Sequence, residues 1–540
     1  MHRRLDRREL LRTLALLGVS AAALPGMTGS LSAQEDGLPF PADDPKAKEG
    51  GVLRIVMPVR EISDPATIDT VEAANQVRHT LEHLALIGPD NRVRPMLAQN
   101  WRASDDLTTW EIELRKRVRW HNGDELTADH VAWNVLRWLD PDQAAGGAAG
   151  LATFSAMLRD GDAGPRPIPG SVEVVDRYTI RLRLKRPVLS VMEDFYHPST
   201  AICHPSFRPP FAADPVGTGP FTIARNRPGD ACILKRVRDL PNGQQFAYWG
   251  GPVYLDEIHY YDSGADDPIE LYAAGDVDLV YAVAHTQLEA VRELDAQIHS
   301  SRTARTLACR MRVDQAPFDD VRVREAIVRS VDNTALKSRL LPQGGDVGEN
   351  HLVAPIHPAF SALGPPRRNI DRAIELLLEA GYPDGIDLTV DISSAAEGWE
   401  RKVCEDMRTQ MLETGLRLTI NTVPADAFES VKKSSAFAAE AWSHHPLGTT
   451  VLGLAFRSNA PMNHARYANP EFDEAVSEAQ SSLRLRDRRR AMERAAKELQ
   501  RDYVMIQPLY WPVYMAASGR IQSVSAHPTG AHQFHKTWLG

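Results

Sequence analysis

The chain has 540 residues, of which 43% are hydrophobic and 25% are charged, and its formal net charge is -9. A chain of this length and hydrophobic content can bury large cores and is expected to form more than one domain, which excludes a wholly disordered protein. The acidic balance disfavours a nucleic-acid partner, because phosphate binding needs a basic surface.

The first 33 residues have the pattern of an export leader. The segment from Arg7 to Leu11 resembles the twin-arginine export motif, and an apolar run from Leu14 to Leu24 follows it. This run is too short to cross a bilayer, which takes about 20 residues. We therefore expect residues 1–33 to be a signal peptide that is removed near Ala33, and the mature protein to be periplasmic. The first cysteine is Cys203, so no lipid anchor is expected at the cleavage point.

The cysteines are widely spaced and include no Cys-x-x-Cys pair. The spacing therefore predicts neither a zinc ribbon nor a dithiol redox motif. An oxidising compartment permits disulfides, and the sequence leaves open which cysteines would pair. The four residues concerned are Cys203, Cys232, Cys309 and Cys404.

Residues 79–83 read His-Thr-Leu-Glu-His, which is the inverted zincin pattern. On a helix, His79 and His83 would share one face, which makes zinc binding geometrically possible. A zinc hydrolase using His79, Glu82 and His83 is therefore one alternative for the function. A zinc site needs at least a third ligand, and the sequence identifies none.

A strand, a turn and a helix are predicted between residues 110 and 139. The apolar residues from Trp110 to Trp120 alternate with mainly polar neighbours at the period of a half-buried strand. Asn122-Gly123 supplies a turn. Thr127 can cap a helix, and the apolar positions of that helix share one face. Those positions are Val131, Val135, Trp138 and Leu139.

Later segments continue the alternation of strands and helices. The chain shows two alternating strands at 172–184, a Gly-rich turn before a strand at 215–221, a helix within 318–332, a helix from Asn369, and a helix at 403–415 followed by a strand at 416–420. Gly381 suits the left-handed residue that ends a helix, and Pro383 prevents its continuation.

These segments, in this order, resemble the family-5 extracellular solute-binding proteins, the peptide, opine and nickel receptors of bacterial ABC importers. The resemblance implies an α/β, two-lobed periplasmic-binding-protein-like fold of type II, cluster C-like, with an extra domain inserted in lobe one. It places lobe one at 34–85, 205–305 and 505–540, the inserted domain at 86–204, and lobe two at 306–504. A hinge between the lobes would close on a ligand, so we expect a receptor without catalysis or cofactor.

The resemblance also implies a ligand segment between Ala439 and Gly448. Trp442 matches a tryptophan of the peptide receptors, and His445 stands where they have an aspartate that pairs with the α-ammonium group of the peptide. Ala439 stands where oligopeptide receptors have an arginine. Neutral imidazole is a poor substitute for a fixed carboxylate. These departures favour an N-blocked peptide, an opine-like or sugar conjugate, or an acidic ligand.

Other ligand contacts follow from the same resemblance. Asp69, Thr70 and Val71 lie where family members run extended backbone beside the ligand, and Asp69 could replace the missing contact to an amine. The alternative for Asp69 is a solvated turn residue. Trp511 is a further candidate for the pocket, with core packing as its alternative. We expect Trp442 to stack on the ligand and His444 and His445 to be polar contacts.

A nickel or metal-chelate receptor of the same family is the second alternative, with His444 and His445 near the metal. Adjacent residues on a strand point to opposite sides, and a divalent site normally needs three or four ligands, so we expect no metal ligated by the protein. The expected partners are a small-molecule or peptide-like ligand and an ABC permease in the inner membrane. The receptor itself is expected to be a monomer.

Overall fold

The part of the chain that the structure describes contains two seven-stranded sheets and one four-stranded sheet. This structure is a computed structural model, and it describes residues 38–141, 146–161, 164–395 and 398–540. The predicted signal peptide and its cleavage site lie outside these residues. We call the first large sheet with its helices lobe one, and the second large sheet with its helices lobe two.

The sheet of lobe one is built around the strand Val52–Val56. This strand pairs in parallel with Glu257–Tyr261 on one side and with Leu279–Val280 on the other. Leu53 and Ile55 are fully buried, as expected for a central strand that is covered on its faces. In spatial order the strands are Phe221–Arg227, Ala231–Arg236, Glu257–Tyr261, Val52–Val56, Leu279–Val280, Val513–Ser518 and Ala296–Ser301. Its α-helices are Val71–Val77, Pro268–Ala273 and Leu288–Arg292.

The sheet of lobe two is built around the strand Thr306–Met311, which is buried at every position. The helix Trp399–Leu412 connects the parallel strands Ile386–Ser393 and Leu416–Val423. In spatial order the strands are Asp346–Val347, Leu509–Tyr510, Thr306–Met311, Phe437–Trp442, Ile386–Ser393 and Leu416–Val423, with Met505–Ile506 also on Thr306–Met311. The other α-helices are Val321–Arg329, Asn333–Leu340, Ile370–Glu379, Ala425–Val431, Gly448–Ala455, Pro470–Ser481 and Leu485–Arg501.

The four-stranded sheet lies within the segment expected to form the inserted domain. Its antiparallel strands are Ala98–Ala103, Thr109–Leu114, Thr179–Arg183 and Val172–Asp176, in spatial order. The helix Ala128–Leu139 packs its apolar face into a core with Trp110, Trp120 and Phe154. Thr127 precedes this helix as predicted, but its side chain accepts no capping hydrogen bond. Short helices follow at Gly146–Ala149, Ala152–Ser155 and Val191–Asp194.

Several predicted elements are confirmed with shifted bounds. The predicted strand between 110 and 120 is Thr109–Leu114, and the helix predicted from Val403 begins at Trp399. Gly381 has the expected left-handed backbone, with φ +90°. The four cysteines are buried and free.

The chain passes between the two large sheets along two short segments, 302–305 and 511–512. Residues 505–510 pair with lobe two, so the expected return to lobe one shifts from residue 505 to 511. The Trp511 N–H donates to the Arg305 carbonyl at 2.8 Å, and the Thr303 hydroxyl donates to the Trp511 carbonyl. Both crossings are thereby joined at the hinge.

A group of buried histidines packs the C-terminal segment onto lobe one. The His79 ring stacks on Phe534, with centroids 5.4 Å apart, and its Nε2 accepts from the Phe534 N–H at 3.0 Å. Arg78 lies among them and is also buried. Burial lowers the pKa of four of these histidines to about 3, which keeps them neutral. The four are His83, His527, His532 and His535.

We expect the free energy of unfolding to fall as the pH drops from about 6.5 toward 4. In this window the unfolded chain protonates its histidines, whereas the folded protein keeps these four neutral, so the unfolded state binds more protons. Each histidine contributes a slope of at most ~1.4 kcal/mol per pH unit. Urea unfolding followed by tryptophan fluorescence across this pH range measures the slope.

His535→Phe and His83→Phe are matched variants for this measurement. Both ring nitrogens of His535 are buried without a hydrogen-bond partner among the described residues, so phenylalanine should preserve stability at neutral pH. His83 Nε2 donates to the His197 carbonyl at 3.1 Å, so its replacement should cost about 1–3 kcal/mol. Both variants should reduce the acid slope, and an unchanged slope in both would contradict the assignment.

Candidate ligand-binding cleft

Two adjoining cavities lie where the crossings meet the lobes. The larger, which we call the hinge cavity, has a volume of about 590 Å³. Lobe one supplies residues 282–287 with Val513 and Tyr514, the second crossing supplies Pro512, and lobe two supplies Arg339, Leu340, Gly398, Trp399 and Lys402. Arg305 and Trp511, from the two crossings, complete the lining. The walls of this cavity therefore come from both lobes.

The smaller cavity, which we call the lobe-two cavity, has a volume of about 330 Å³. It lies at the carboxyl ends of Ile386–Ser393 and Phe437–Trp442, where ligands bind in open α/β sheets. Trp442 and Ser443 line it, and it shares Arg305 and Trp399 with the hinge cavity. The two cavities therefore form one cleft along the edge of the lobe-two sheet.

Aromatic rings form part of the wall of the hinge cavity. Trp399 and Trp511 stack with centroids 4.5 Å apart and an interplanar angle of 24°. The His285 ring meets Trp511 edge-on at 5.7 Å. Each tryptophan is less than 10% exposed, so both rings are held in place by packing. Such a rigid wall suits an apolar or planar part of a ligand.

A buried ion pair underlies the lobe-two cavity. Arg310 Nε donates to Glu440 at 2.8 Å, and His464 Nδ1 lies 3.1 Å from the other oxygen of the same carboxylate. Burial by itself would raise the pKa of Glu440, but the contacts with His464 and Arg310 outweigh burial and hold this pKa below its ordinary value. The carboxylate is thus ionised and already compensated from within the lobe.

The charged side chains in the described lining of the hinge cavity are cationic. Arg305, Arg339 and Lys402 line it, and no carboxylate is among the described residues of its lining. Arg339 forms an ion pair with Asp406 outside the cavity. Burial first, and then the charges of Lys402 and Arg292, lower the pKa of His285. The cleft therefore combines an aromatic wall with cationic groups.

Comparisons with known proteins agree with this architecture. The sequence model of the bacterial extracellular solute-binding proteins, family 5 Middle, matches residues 92–456, which is more than half of the chain. The chain belongs to this family. Over 476 residues it is 25% identical to the periplasmic oligopeptide-binding protein OppA of Haemophilus influenzae. This alignment covers 82% of this chain and 85% of that protein.

One further relative and one solved structure extend the comparison. The glutathione-binding protein GsiB of Salmonella choleraesuis is 25% identical over 343 residues, which is 62% of each chain. The structure of HbpA2 from Haemophilus parasuis superposes with a TM-score of 0.78 at 19% identity, over 91% of this chain and all of that chain. The predicted family and the two-lobed type II fold are confirmed.

Two of the predicted site residues lie in the cleft. Trp442 lines the lobe-two cavity and Trp511 lines the hinge cavity. Trp442 also packs against Leu452 in the core of lobe two. Residue Trp399, which joins both cavities, was not predicted. The available signal was Gly398 directly before it, at the start of a helix that follows the strand Ile386–Ser393.

The two histidines after Trp442 line neither cavity. His444 Nδ1 accepts from the Ala304 N–H at 3.0 Å, and its Nε2 lies 3.1 Å from the Asn91 side-chain oxygen. His444 therefore ties the first crossing to a turn of residues 88–92. The His445 carbonyl accepts from His357 Nε2 at 2.9 Å. Their predicted roles as ligand contacts stay predictions.

The predicted rim at Asp69, Thr70 and Val71 also lies outside the two linings. Asp69 is exposed, and the Thr70 hydroxyl accepts from the Ala73 N–H to cap the helix Val71–Val77. The next residue, Glu72, accepts from the Tyr281 hydroxyl at 2.5 Å. Tyr281 directly precedes the lobe-one wall of the hinge cavity, so the segment lies beside this wall.

The His-x-x-Glu-His segment is structural. The helix ends at Val77, so His79 and His83 do not share a helical face. Glu82 instead accepts from Thr218, Tyr248 and Trp249, each at 2.7 Å. No group of three or more His, Cys, Asp or Glu among residues 38–141, 146–161, 164–395 and 398–540 is arranged to hold a metal. The findings do not favour the zinc hydrolase or the metal receptor.

The described residues include no helix long and apolar enough to cross a membrane.

Arg310→Met should destabilise lobe two by roughly 3–5 kcal/mol, because it leaves the buried Glu440 carboxylate with only His464 as a partner. Arg417→Met is the matched control on the same sheet. Arg417 pairs with Asp387 at an exposed site, where water screens the pair, so this substitution should cost much less. Urea unfolding measures both. Equal losses in the two variants would contradict the role of the buried pair.

Proposed function

We propose that this chain is the periplasmic substrate-binding component of an ABC importer. It captures a peptide-like or conjugated small molecule between its lobes and delivers it to a permease in the inner membrane. The observation that carries this proposal is the hinge cavity, because both lobes and both crossings contribute to its lining. A ligand bound there contacts both lobes at once.

The hinge allows ligand binding to change how the two lobes are arranged. A ligand shifts a conformational equilibrium by its difference in affinity for the two states, and contacts with both lobes provide that difference for the closed state. The connections at 302–305 and 511–512 are short and hydrogen-bonded to each other. We therefore expect the receptor to close by a rotation of the two lobes about these segments. The permease would recognise the closed pair of lobes.

The class of ligand is inferred from the cleft and from relatives. OppA and GsiB are named for oligopeptide and glutathione binding, which supports a peptide-like cargo here. The histidine at 445, in place of an aspartate, supports a ligand that needs no fixed ammonium contact. The proposed contacts are Trp442, Trp399 and Trp511 in the cleft, with His444, His445 and the rim from Asp69 to Val71 around it.

The remaining features of the receptor are proposed on the same basis. It performs no catalysis, acts as a monomer and diffuses freely in the periplasm without a lipid anchor. A twin-arginine signal over residues 1–33 exports it. Lobe one comprises 34–85, 205–305 and 511–540, with a domain inserted at 86–204, and lobe two comprises 306–510. The strands that form the two seven-stranded sheets and the four-stranded sheet support this division.

Trp399→Leu should weaken peptide binding at least tenfold, about 1.4 kcal/mol, because Trp399 lines both cavities. Protein unfolded and refolded to remove bound cargo is titrated with a tripeptide library by affinity selection and mass spectrometry. Trp101→Leu is the control, since Trp101 is equally buried but belongs to the four-stranded sheet. Equal loss in both variants, or no bound organic molecule in wild type, would contradict the proposal.

Replacing Arg7 and Arg8 together by lysine should block export and leave the leader attached, because the twin-arginine pathway reads the arginine pair. N-terminal sequencing of cell fractions measures this, and wild type should begin near Gln34. The matched control replaces Arg3 and Arg4 by lysine, which should leave export intact. Export of the Arg7 and Arg8 variant at the wild-type level would refute the twin-arginine assignment.

A further inference from the structure

A β-hairpin at the start of the proposed inserted domain reaches from lobe one to lobe two. Its first strand ends at Ile87, its second begins at Val93, and residues 88–92 form the turn between them. The Ile87 carbonyl accepts from Gln533 Nε2 at 2.7 Å and from His527 Nε2 at 3.0 Å. The C-terminal segment of lobe one therefore holds the base of this turn in place.

The side chain of Asn91, in this turn, contacts lobe two. Its backbone has φ +59°, a left-handed conformation that asparagine adopts more readily than most residues. Its Nδ2 donates to the Pro446 carbonyl at 2.9 Å and to the Ile356 carbonyl at 3.3 Å. Its Oδ1 lies 3.1 Å from His444 Nε2. Because Asn91 is only 3% exposed, these bonds are shielded from water, and they join the lobes at a point outside both crossings.

The bonds of Asn91 fix the protonation state of His444. The Asn91 nitrogen faces two carbonyls, so its oxygen faces His444, and His444 Nε2 must carry the hydrogen that joins them. His444 Nδ1 accepts from the Ala304 N–H at 3.0 Å and therefore carries no hydrogen. A second proton on this ring would have to occupy Nδ1, where it would meet the Ala304 N–H. The full set of bonds thus requires a neutral imidazole.

The groups around His444 oppose its protonation. Burial is the largest cause that holds the pKa of His444 well below its ordinary value, and the charges of His357, His527 and His445 act in the same direction. An imidazole released into water would regain a pKa near ~6.5. The contact is therefore fully stable above this pH, and it weakens as the pH falls, because only the released ring takes up a proton readily.

Charged residues on the adjoining segments do not supply a counter-ion for His444. In the turn, Asp90 is already paired with Arg94 at 2.7 Å. On the first crossing, Arg305 follows Ala304 and lines the two cavities. Within the described chain, no carboxylate lies within ion-pair distance of the His444 ring. A proton on His444 would therefore be buried without compensation, which is costly.

We propose that Asn91 and His444 form a clasp, a noncovalent third connection that holds the two lobes in the arrangement of this structure while His444 is neutral. Protonation of His444 opens the clasp. Both ring nitrogens of His444 are used by it, so a ring nitrogen could contact a ligand only after the clasp opens. The inference goes beyond the proposed function, because it concerns the arrangement of the lobes and holds whichever ligand the cleft binds.

Pulsed electron paramagnetic resonance between two spin labels measures the connection. Arg102→Cys places one label on the inserted domain and Lys497→Cys places the other on lobe two. Both native side chains are more than half exposed, whereas the four native cysteines are buried. The mature protein, unfolded and refolded to remove cargo, is measured at about pH 7.5 and about pH 5. The ratio of clasped to separated lobes should fall about thirtyfold on acidification.

Three variants locate the effect. Asn91→Gly removes the side chain but allows the left-handed backbone, and it should lower the ratio at least tenfold at about pH 7.5. His444→Gln cannot gain a proton and should lose the response to acid. Asn134→Ala is the matched control, because Asn134 is fully buried and donates to the His130 and Cys203 carbonyls within the inserted domain. It should keep the wild-type ratio and the wild-type response.

The outcomes separate the clasp from its dependence on pH. A wild-type ratio in Asn91→Gly at about pH 7.5, or an equal loss in Asn134→Ala, would overturn the clasp. A wild-type ratio that acid does not lower, or a full response in His444→Gln, would overturn its release by protonation. Circular dichroism checks that each protein is folded at both pH values.

Asn91→Asp is a second variant at the same position, in case Asn91→Gly does not fold. It keeps an acceptor for His444 but cannot donate to the Pro446 and Ile356 carbonyls, so it should also lower the ratio at about pH 7.5. No peptide takes part in these measurements. Failure of the clasp would therefore leave the receptor function standing, and failure of the receptor function would leave the clasp standing.

Discussion

The pairing of the two crossings is the constraint on which the rest of the molecule depends. A backbone hydrogen bond from Trp511 to Arg305 joins them, and the Ala304 N–H is held in turn by His444. In the part of the chain that the structure describes, these two short segments carry the backbone between the large sheets, so a relative motion of the lobes would bend it there. Arg305 and Trp511 are themselves lining residues, so the ligand would bind directly against the segments that bend.

The charges of lobe two explain why the cleft differs in character along its length. Glu440 stands in the lining of the lobe-two cavity, yet Arg310 and His464 compensate it from inside the lobe. Lys432 compensates Glu429 on the same rim. The charges that line the lobe-two cavity are thereby partly compensated, whereas the described lining of the hinge cavity contains Arg305, Arg339 and Lys402 and no carboxylate. The two cavities therefore differ in the charged groups that their linings present.

Local patterns predicted local structure well, and they failed where distant segments meet. The period of residues 128–139 and the glycine at 381 correctly predicted a helix and a helix end, because both follow from neighbouring residues. The His-x-x-Glu-His spacing was misleading, because the helix stops at Val77 and each side chain finds a partner far along the chain.

The candidate site shows the same limit. Family resemblance indicated Trp442, and Trp511 was a pocket candidate with core packing as its alternative. Both line the cleft, and their contacts with a ligand stay predictions. Family resemblance did not indicate Trp399 or Lys402, which line the cleft because their helix is placed against the crossings. His444 looked like a ligand contact, but its partner Asn91 lies 353 residues away. Pairings of this range have no signature in a single sequence.

Charged groups of the two lobes act on each other across the hinge cavity. Lys402 belongs to lobe two and His285 to lobe one, and the lysine charge already helps to lower the pKa of that histidine. The two walls therefore influence each other electrostatically across the cleft. Bringing the lobes together would place Lys402 and His285 closer to each other in a less solvated space, where the lysine charge would oppose protonation of His285 more strongly.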